Sequence, residues 1–397
     1  MDSSRRGFLT MLGSAAAVPG IAAAAPNVTP PIARALVLSG GGARGAYEAG
    51  IIGSMAANRG IRDGDPLSPY GLVCGTSIGA LNGWFVATGQ YTKLHDLWYG
   101  ISAARLIRLK KQFAALRAPD SGVGNRLASA IHLGSLAKNE VALLDSAPVL
   151  DYIGSHVDPR QPLLVPMVWV STNLNKQRAE YFYARPPNAP QRDVNVIFDS
   201  LRIAIGANTI VREASVELFH RELFASACVP LAWDPVQLPQ PDGSLNEYCD
   251  GGVASNSAVS VAHSVSAAVD VVLMDPPFEP ISDYTDAIAV GFGTFGTMQQ
   301  KILTNDMRSV YFQSVAKRAL AKLPPSVMRS FTLEDPLFQT FIETLPSTEL
   351  SYVRPKSTLP VGAGAFSDEE GLGKAYRIGW EDAQAGFTPY NWRTFDA

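Results

Sequence analysis

Cysteine is scarce: the 397 residues hold only three, Cys74, Cys228 and Cys249. An odd number cannot all pair within one chain, and none stands in a Cys-x-x-Cys or Cys/His metal spacing. No disulfide framework and no structural metal site are implied; a small buried hydrophobe is the ordinary role for each thiol. Charge is also low, with 17% of residues Asp, Glu, Lys or Arg and a formal net charge of −3. The chain therefore has no basic field for nucleic acid, and no RNA- or DNA-binding motif stands out. Histidine occurs five times, at positions 95, 132, 156, 220 and 263, in no recognisable catalytic motif. With no His/Cys cluster and no calcium loop, neither a metal nor any other cofactor is expected. There is no internal repeat and no long low-complexity tract.

Apolar residues make up 47% of the chain, enough for a large core, and the length fits one large α/β domain or two smaller ones. The N-terminus is more specific. Ser4-Arg5-Arg6-Gly7-Phe8-Leu9-Thr10 precedes a modest apolar run, Met11 to Ile21, broken by Gly13, Pro19 and Gly20. This resembles a twin-arginine export signal, with small residues Ala22 to Ala25 offering cleavage sites. Proline beyond the scissile bond hinders cleavage directly before Pro26, so residues 1–24 are expected to be removed. The alternative, an uncleaved anchor, suits the run's length better than its hydrophobicity. Export of a folded protein to the periplasm or the exterior follows, with no integral membrane segment left after signal removal.

Two strand-loop-helix units come next. Ala35-Leu36-Val37-Leu38-Ser39 reads as a buried strand running into Gly40-Gly41-Gly42-Ala43-Arg44-Gly45, and a helix is predicted from about Ala46 to Asn58. A second apolar run, Tyr70 to Cys74, enters Gly75-Thr76-Ser77-Ile78-Gly79 and a helical stretch from Ala80 to Thr88. Such repetition argues for a parallel sheet with helices on its faces. Gly-x-Ser-x-Gly between a strand and a helix marks a nucleophile elbow, a strained turn that lifts a serine Oγ clear of its backbone. On its own the pattern also arises by chance.

The glycine loop fits two readings. Gly40-x-Gly42-x-x-Gly45 matches a dinucleotide-binding fingerprint, but the acids about 20 residues on, Asp63 and Asp65, lie in a loop without a strand leading to them. A P-loop fails because no Lys-Ser or Lys-Thr follows. Successive amides in a glycine turn at a helix N-terminus can instead form a donor nest for an oxyanion. Both turns would then lie at the carboxyl ends of adjacent parallel strands, where open α/β sheets place their sites.

Further along, Arg105 to Leu116 places Leu106, Leu109, Phe113 and Leu116 on one helical face, which suits a membrane-facing or lid helix as well as an ordinary surface helix. Strands are predicted around Leu163 to Thr172, Ala179 to Tyr183, Val269 to Asp275 and Leu350 to Arg354. Helices are predicted around Phe198 to Ile205, Phe219 to Ala227, across residues 285 to 345, and from Glu369 to Ala385. Pro276, Pro277 and Pro280 suggest a boundary, giving a catalytic domain over residues 33–280 and a mostly helical C-terminal extension over 281–397 packed on it.

Three segments in order, Ser39 to Gly45, Gly75 to Gly79, and Asp250-Gly251-Gly252-Val253-Ala254-Ser255-Asn256, resemble the glycine-rich, serine and aspartate motifs of patatin-like phospholipases. Ala225-Ser226-Ala227-Cys228-Val229-Pro230 is similar to the Ala-Ser-x-x-x-Pro stretch preceding the aspartate motif. Ser257 follows Asn256 where many relatives have proline. The resemblance covers about residues 33 to 275 and implies a three-layer α/β/α sandwich with a mostly parallel central sheet. It implies Ser77 as nucleophile and Asp250 as base, a dyad without histidine, acting on a carboxylic ester of a phospholipid or lysophospholipid at a membrane surface. Gly40, Gly41, Gly42, Ala43, Arg44, Gly45 and Ile78 make the expected oxyanion hole, and Gly75, Gly79, Gly251 and Gly252 are the motif glycines. Arg44 can support the nest, meet a lipid phosphate, or orient the loop through a salt bridge. Only His263 follows Asp250 in the order of an α/β-hydrolase triad, on a helical segment that suits a surface or packing residue. An inactive lipid-binding protein of the same fold is the alternative, with a dinucleotide-binding enzyme behind it.

Overall fold

The computed structural model describes residues 32–100, 106, 108–111, 142–188, 211–255, 258–277, 287–324, 326–327, 347–362, 366 and 368–395, with side chains at 287–295 excepted. The export signal, Asn256, Ser257, the helix predicted at Phe198 to Ile205 and most of the amphipathic segment Arg105 to Leu116 lie outside them.

A mixed, mostly parallel sheet forms the middle layer. Strand β1 (Ile32–Leu38) leads through a 3-10 turn (Gly42–Arg44) into α1 (Gly45–Asn58), and β2 (Leu72–Thr76) leads through Ser77 into α2 (Ile78–Ala87) and α3 (Tyr91–Gly100). Then come α4 (Ala147–His156), the hairpin β3 (Met167–Asn173) and β4 (Arg178–Ala184), β5 (Val211–Glu213) and α5 (Phe219–Ala227). A second hairpin, β6 (Val236–Pro239) and β7 (Leu245–Asp250), precedes α6 (Val259–Val265) and β8 (Ser266–Val272). The chain continues with α7 (Ala287–Leu320), β9 (Glu349–Val353), α8 (Glu369–Ala385), β10 (Thr388–Pro389) and α9 (Trp392–Phe395). The strand order is β10-β9-β8-β1-β2-β3-β4-β5, with β7 pairing β3 and β6 pairing β7. From β9 through β3 the neighbours are parallel; the hairpins and β10 supply the antiparallel pairs.

Strand alternation sends side chains to two cores. Leu36, Leu38, Val73 and Trp169 face one, with Tyr47, Ile51, Trp84, Phe85, Phe224 and Tyr376 from the helices. Ala35, Val37, Leu72, Cys74, Val168 and Val170 face the other, packed by Val259, Val265, Leu303, Met307 and Val310 of α6 and α7. The mostly apolar β1, β2 and β8, whose charged members Arg34 and Asp270 pair with each other, suit strands covered on both faces. Helices lie on both faces of the sheet, which is the three-layer α/β/α arrangement.

The segment after Pro276 adds a strand to this sheet. Strand β9 pairs in parallel with β8, Leu350 opposite Val269. Helix α8 crosses α1 where glycine faces backbone: a Cβ at Gly50 would meet the Tyr376 carbonyl, and one at Gly379 the Tyr47 carbonyl. No described helix is long and apolar enough to cross a membrane.

Candidate active site

The register of β3 explains how distant motifs meet. Strand β2 runs parallel to β3 and places Thr76 opposite Val170. Strand β7 runs antiparallel to β3 and places Asp250 opposite Ser171, the next residue. Strand β4 occupies the other edge of β3 throughout. The carboxyl ends of β2 and β7 therefore converge head to head on one edge, and the residue leaving β2, Ser77, arrives beside Asp250. Thr172 Oγ1 donates to the Asp250 carbonyl at 2.9 Å, fixing that end of β7.

The elbow has the backbone its sequence predicts. Ser77 sits at φ 55°, ψ −127°, a sparsely populated region that costs a non-glycine residue about 1–3 kcal/mol. Both flanking glycines are sterically required. A Cβ at Gly75 would stand 2.5 Å from the Gly79 carbonyl oxygen, and one at Gly79 would overlap the Leu38 carbonyl of β1. The strain is held by Ser226, whose Oγ accepts the Ser77 N–H at 2.9 Å and donates to the Val170 carbonyl at 2.6 Å. This gives the Ala-Ser-x-x-x-Pro stretch a physical role that its sequence alone does not reveal.

Asp250 is fully buried. Its Oδ1 accepts the Gly252 N–H at 2.7 Å, capping the 3-10 turn Gly251–Val253, and lies 3.4 Å from Gln299 Nε2. Among the described residues Oδ2 has no hydrogen-bond partner. The ordinary use of an Asp-Gly turn, a carboxylate capping its own loop, thus engages one oxygen and leaves the second. Burial pushes the carboxyl up to about 7, against the lowering influence of the Ser77 hydroxyl and the Gly252 amide. Ser77 is thus within electrostatic reach of Asp250, although no hydrogen bond of ordinary length joins them. Burial likewise raises the neighbouring Cys249 thiol to about 12 and holds Cys228 well above its usual range.

The glycine turn lies beside the elbow because β1 and β2 are paired, Leu38 opposite Gly75. Gly41 has φ 178°, ψ 8°, and Gly42 has φ 59°. Arg44 N–H donates to the Gly41 carbonyl at 3.2 Å, and the Gly45 N–H returns to the turn's own carbonyls. Those two amides are engaged inside the turn. The Arg44 side chain pairs with Asp275, just past β8, forming the loop-orienting salt bridge that is one of its expected roles. Beneath the loop, Asn82 of α2 donates to the Gly45 carbonyl at 3.1 Å and to Glu48 Oε2 at 2.7 Å, and accepts from Trp98 Nε1 at 2.9 Å. Glu48 is fully buried, and burial holds its carboxyl well above the usual range. This network ties the glycine helix to the elbow helix.

The described histidines are bonded elsewhere. His263 Nδ1 meets Thr348 Oγ1 at 2.8 Å, His220 Nε2 the Val157 carbonyl, His156 the Tyr152 carbonyl and His95 the Asp96 carboxylate. None bonds to Ser77 or Asp250, and burial depresses His263 to about 4.

Residues 36–263 match the family model described as patatin-like phospholipase. No curated protein matches the chain. Among the solved structures that match is VipD from Legionella pneumophila, which aligns over 90% of this chain and 67% of its own, with 12% sequence identity and a TM-score of 0.38.

Proposed function

The chain belongs to the patatin-like phospholipase family, and on that premise we propose that it hydrolyses carboxylic esters of acyl lipids through a Ser77–Asp250 dyad. The observation that carries the reading is the head-to-head convergence of β2 and β7 on β3. A serine hydroxyl needs a base to take its proton as the new bond forms. An ordinary aspartate, near 3.9, is a weak base at neutral pH. Asp250, raised to about 7 by burial, is far better matched to that task.

In the first step Ser77 Oγ attacks the ester carbonyl, its proton passes to Asp250, and the carbonyl oxygen becomes an oxyanion. The amides of Gly41, Gly42 and Ala43, with Ile78 N–H at the start of α2, receive that charge; one such donor is worth about 10²–10³ in rate. Collapse expels the alcohol, protonated by Asp250. Water activated by the same carboxylate then releases the fatty acid from the acyl-serine. A lipid substrate presented at a membrane surface, and export by residues 1–24, complete the proposed role.

An ester-hydrolysis assay of the mature protein beside Ser77→Ala and Asp250→Asn tests the reading. Loss of at least about 10³ in kcat is expected for each variant, and a fluorophosphonate probe should add to Ser77 of the wild type. Wild-type turnover in both variants would sink the dyad. Failure of the probe to label Ser77 would favour a lipid-binding protein without catalysis.

A further inference from the structure

Helix α7 reaches the candidate site from beyond the segment that matches the family. Its inward stripe reads Gln299, Leu303, Asp306, Met307, Val310, a helical spacing in which the apolar members enter the second core. The two polar members sit where a core helix normally carries apolar residues; Gln299 is buried and Asp306 half-buried. Each contacts the aspartate loop. Gln299 Nε2 lies 3.4 Å from Asp250 Oδ1, and Ser255 Oγ donates to Asp306 Oδ2 at 3.5 Å. The Ser255 carbonyl in turn accepts from Thr76 Oγ1 at 3.5 Å, one residue before Ser77. A single helix face thus grips the loop at two points, one on the carboxylate and one tied to the elbow.

We infer that Gln299 is a positioning residue of the reaction: its amide, with the Gly252 N–H, pins Oδ1 of Asp250 so that Oδ2 is the oxygen presented to Ser77. The inference rests on the acyl-hydrolase reading and extends it to a residue outside the family motifs. A carboxylate with a single donor can rotate about its Cβ–Cγ bond; a second donor on the same oxygen, from a different element, holds the plane. Both donors favour the ionised form. Among the described residues, the groups facing Asp250 are the Ser77 hydroxyl from the elbow, the Gly252 amide from its own loop, Gln299 from α7, and the thiols of Cys249 and Cys228. Burial keeps both thiols protonated at neutral pH. Asp306, seven residues from Gln299 on the same face, is a half-buried carboxyl that desolvation raises to about 7.

The test is the pH dependence of hydrolysis of a short-chain p-nitrophenyl ester by the full mature chain, comparing wild type with Gln299→Met, Gln299→Glu and Asp306→Asn. Methionine keeps the side chain's size and removes the donor, which preserves the packing of α7. Gln299→Met should lower kcat about tenfold at pH 7 with KM within twofold. Its acid limb should move to higher pH by about 0.5–1, and Gln299→Glu, which adds a like charge, should move it further. Asp306→Asn should leave the limb in place. Wild-type kcat and limb in both Gln299 variants would overturn the inference while leaving the dyad intact, as would a limb that moves only in Asp306→Asn. A wild type that neither hydrolyses the ester nor labels at Ser77 would overturn the acyl-hydrolase reading and this inference with it.

Discussion

Asp250 is a carboxyl withdrawn from water, with one oxygen held by the Gly252 amide and the other without a hydrogen-bond partner among the described residues. Its rise from 3.8 to about 7 means that the folded protein binds this proton more tightly than the unfolded chain does. The associated stability is fully present below about pH 4 and is lost as pH rises through 7, a difference on the order of 4 kcal/mol for a three-unit shift. Asp250→Asn is therefore expected to melt several degrees above wild type at pH 8, with the gap closing toward pH 4, while hydrolysis is lost. A thermal-melt series across pH checks this; equal melting temperatures at pH 8 would show that the carboxyl is not strained by burial. Catalysis should fall on the acid side with an apparent pKa near 7. Ser77 was expected from the strand-turn-helix context of its glycine motif and Asp250 from the family resemblance alone, since an Asp-Gly turn by itself reads as a carboxylate capping its own loop. Gln299 was not, since its only signal is a polar residue on an apolar helical stripe 49 residues from its partner. The likeness of Ser226 to a family stretch was visible, but its bond to the Ser77 amide depends on how α5 is placed in three dimensions.

At the scale of elements, the crossing of α1 and α8 leaves no room for a side chain at Gly50 or Gly379. Gly50 and Gly379 each let the opposite backbone occupy the space of a side chain. Gly379→Val is expected to force the helices apart, at a cost of at least about 1–3 kcal/mol, and calorimetry should show a lower Tm. A variant with the wild-type Tm would mean that the close crossing is not needed. Since α1 begins at the glycine turn, activity should fall with it. Helices α1, α5 and α8 were legible from apolar periodicity and loop punctuation, β8 from its valine-rich run and β9 from a short stretch of apolar and aromatic residues. The β6–β7 hairpin was not read, although Asp242-Gly243 between alternating residues carries the turn signal. Its strands are short, Pro239 ends one of them, and polar residues such as Asn246 occupy inward positions. That omission hid the element that delivers Asp250.

For the whole molecule, parallel order was readable from two strand-turn-helix units in succession, but the wedge of β7 against β3 was not. Sequence pattern gives the direction of a strand's faces, while its neighbour is chosen by long-range pairing. The proposed export carries its own test at this scale. Replacing Arg5 and Arg6 by lysines should leave precursor of unchanged length inside the cell, detectable by fractionation and immunoblotting. Normal export of that variant would remove the twin-arginine reading.

The sheet is also finished at one side in a particular way. Strand β10 is two residues long, pairs antiparallel with β9 at Ser351 and Tyr352, and includes a proline. Proline has no amide hydrogen to offer a further strand, and so short a strand gives another chain little to align with. Thr388–Pro389 therefore acts as a stopper on an open row of hydrogen-bonding groups, guarding the sheet against edge-to-edge self-association. Removing residues 386–397 should uncover β9 and produce concentration-dependent oligomers on size exclusion, whereas a truncated protein that stays monomeric at high concentration would assign the edge's protection to another element.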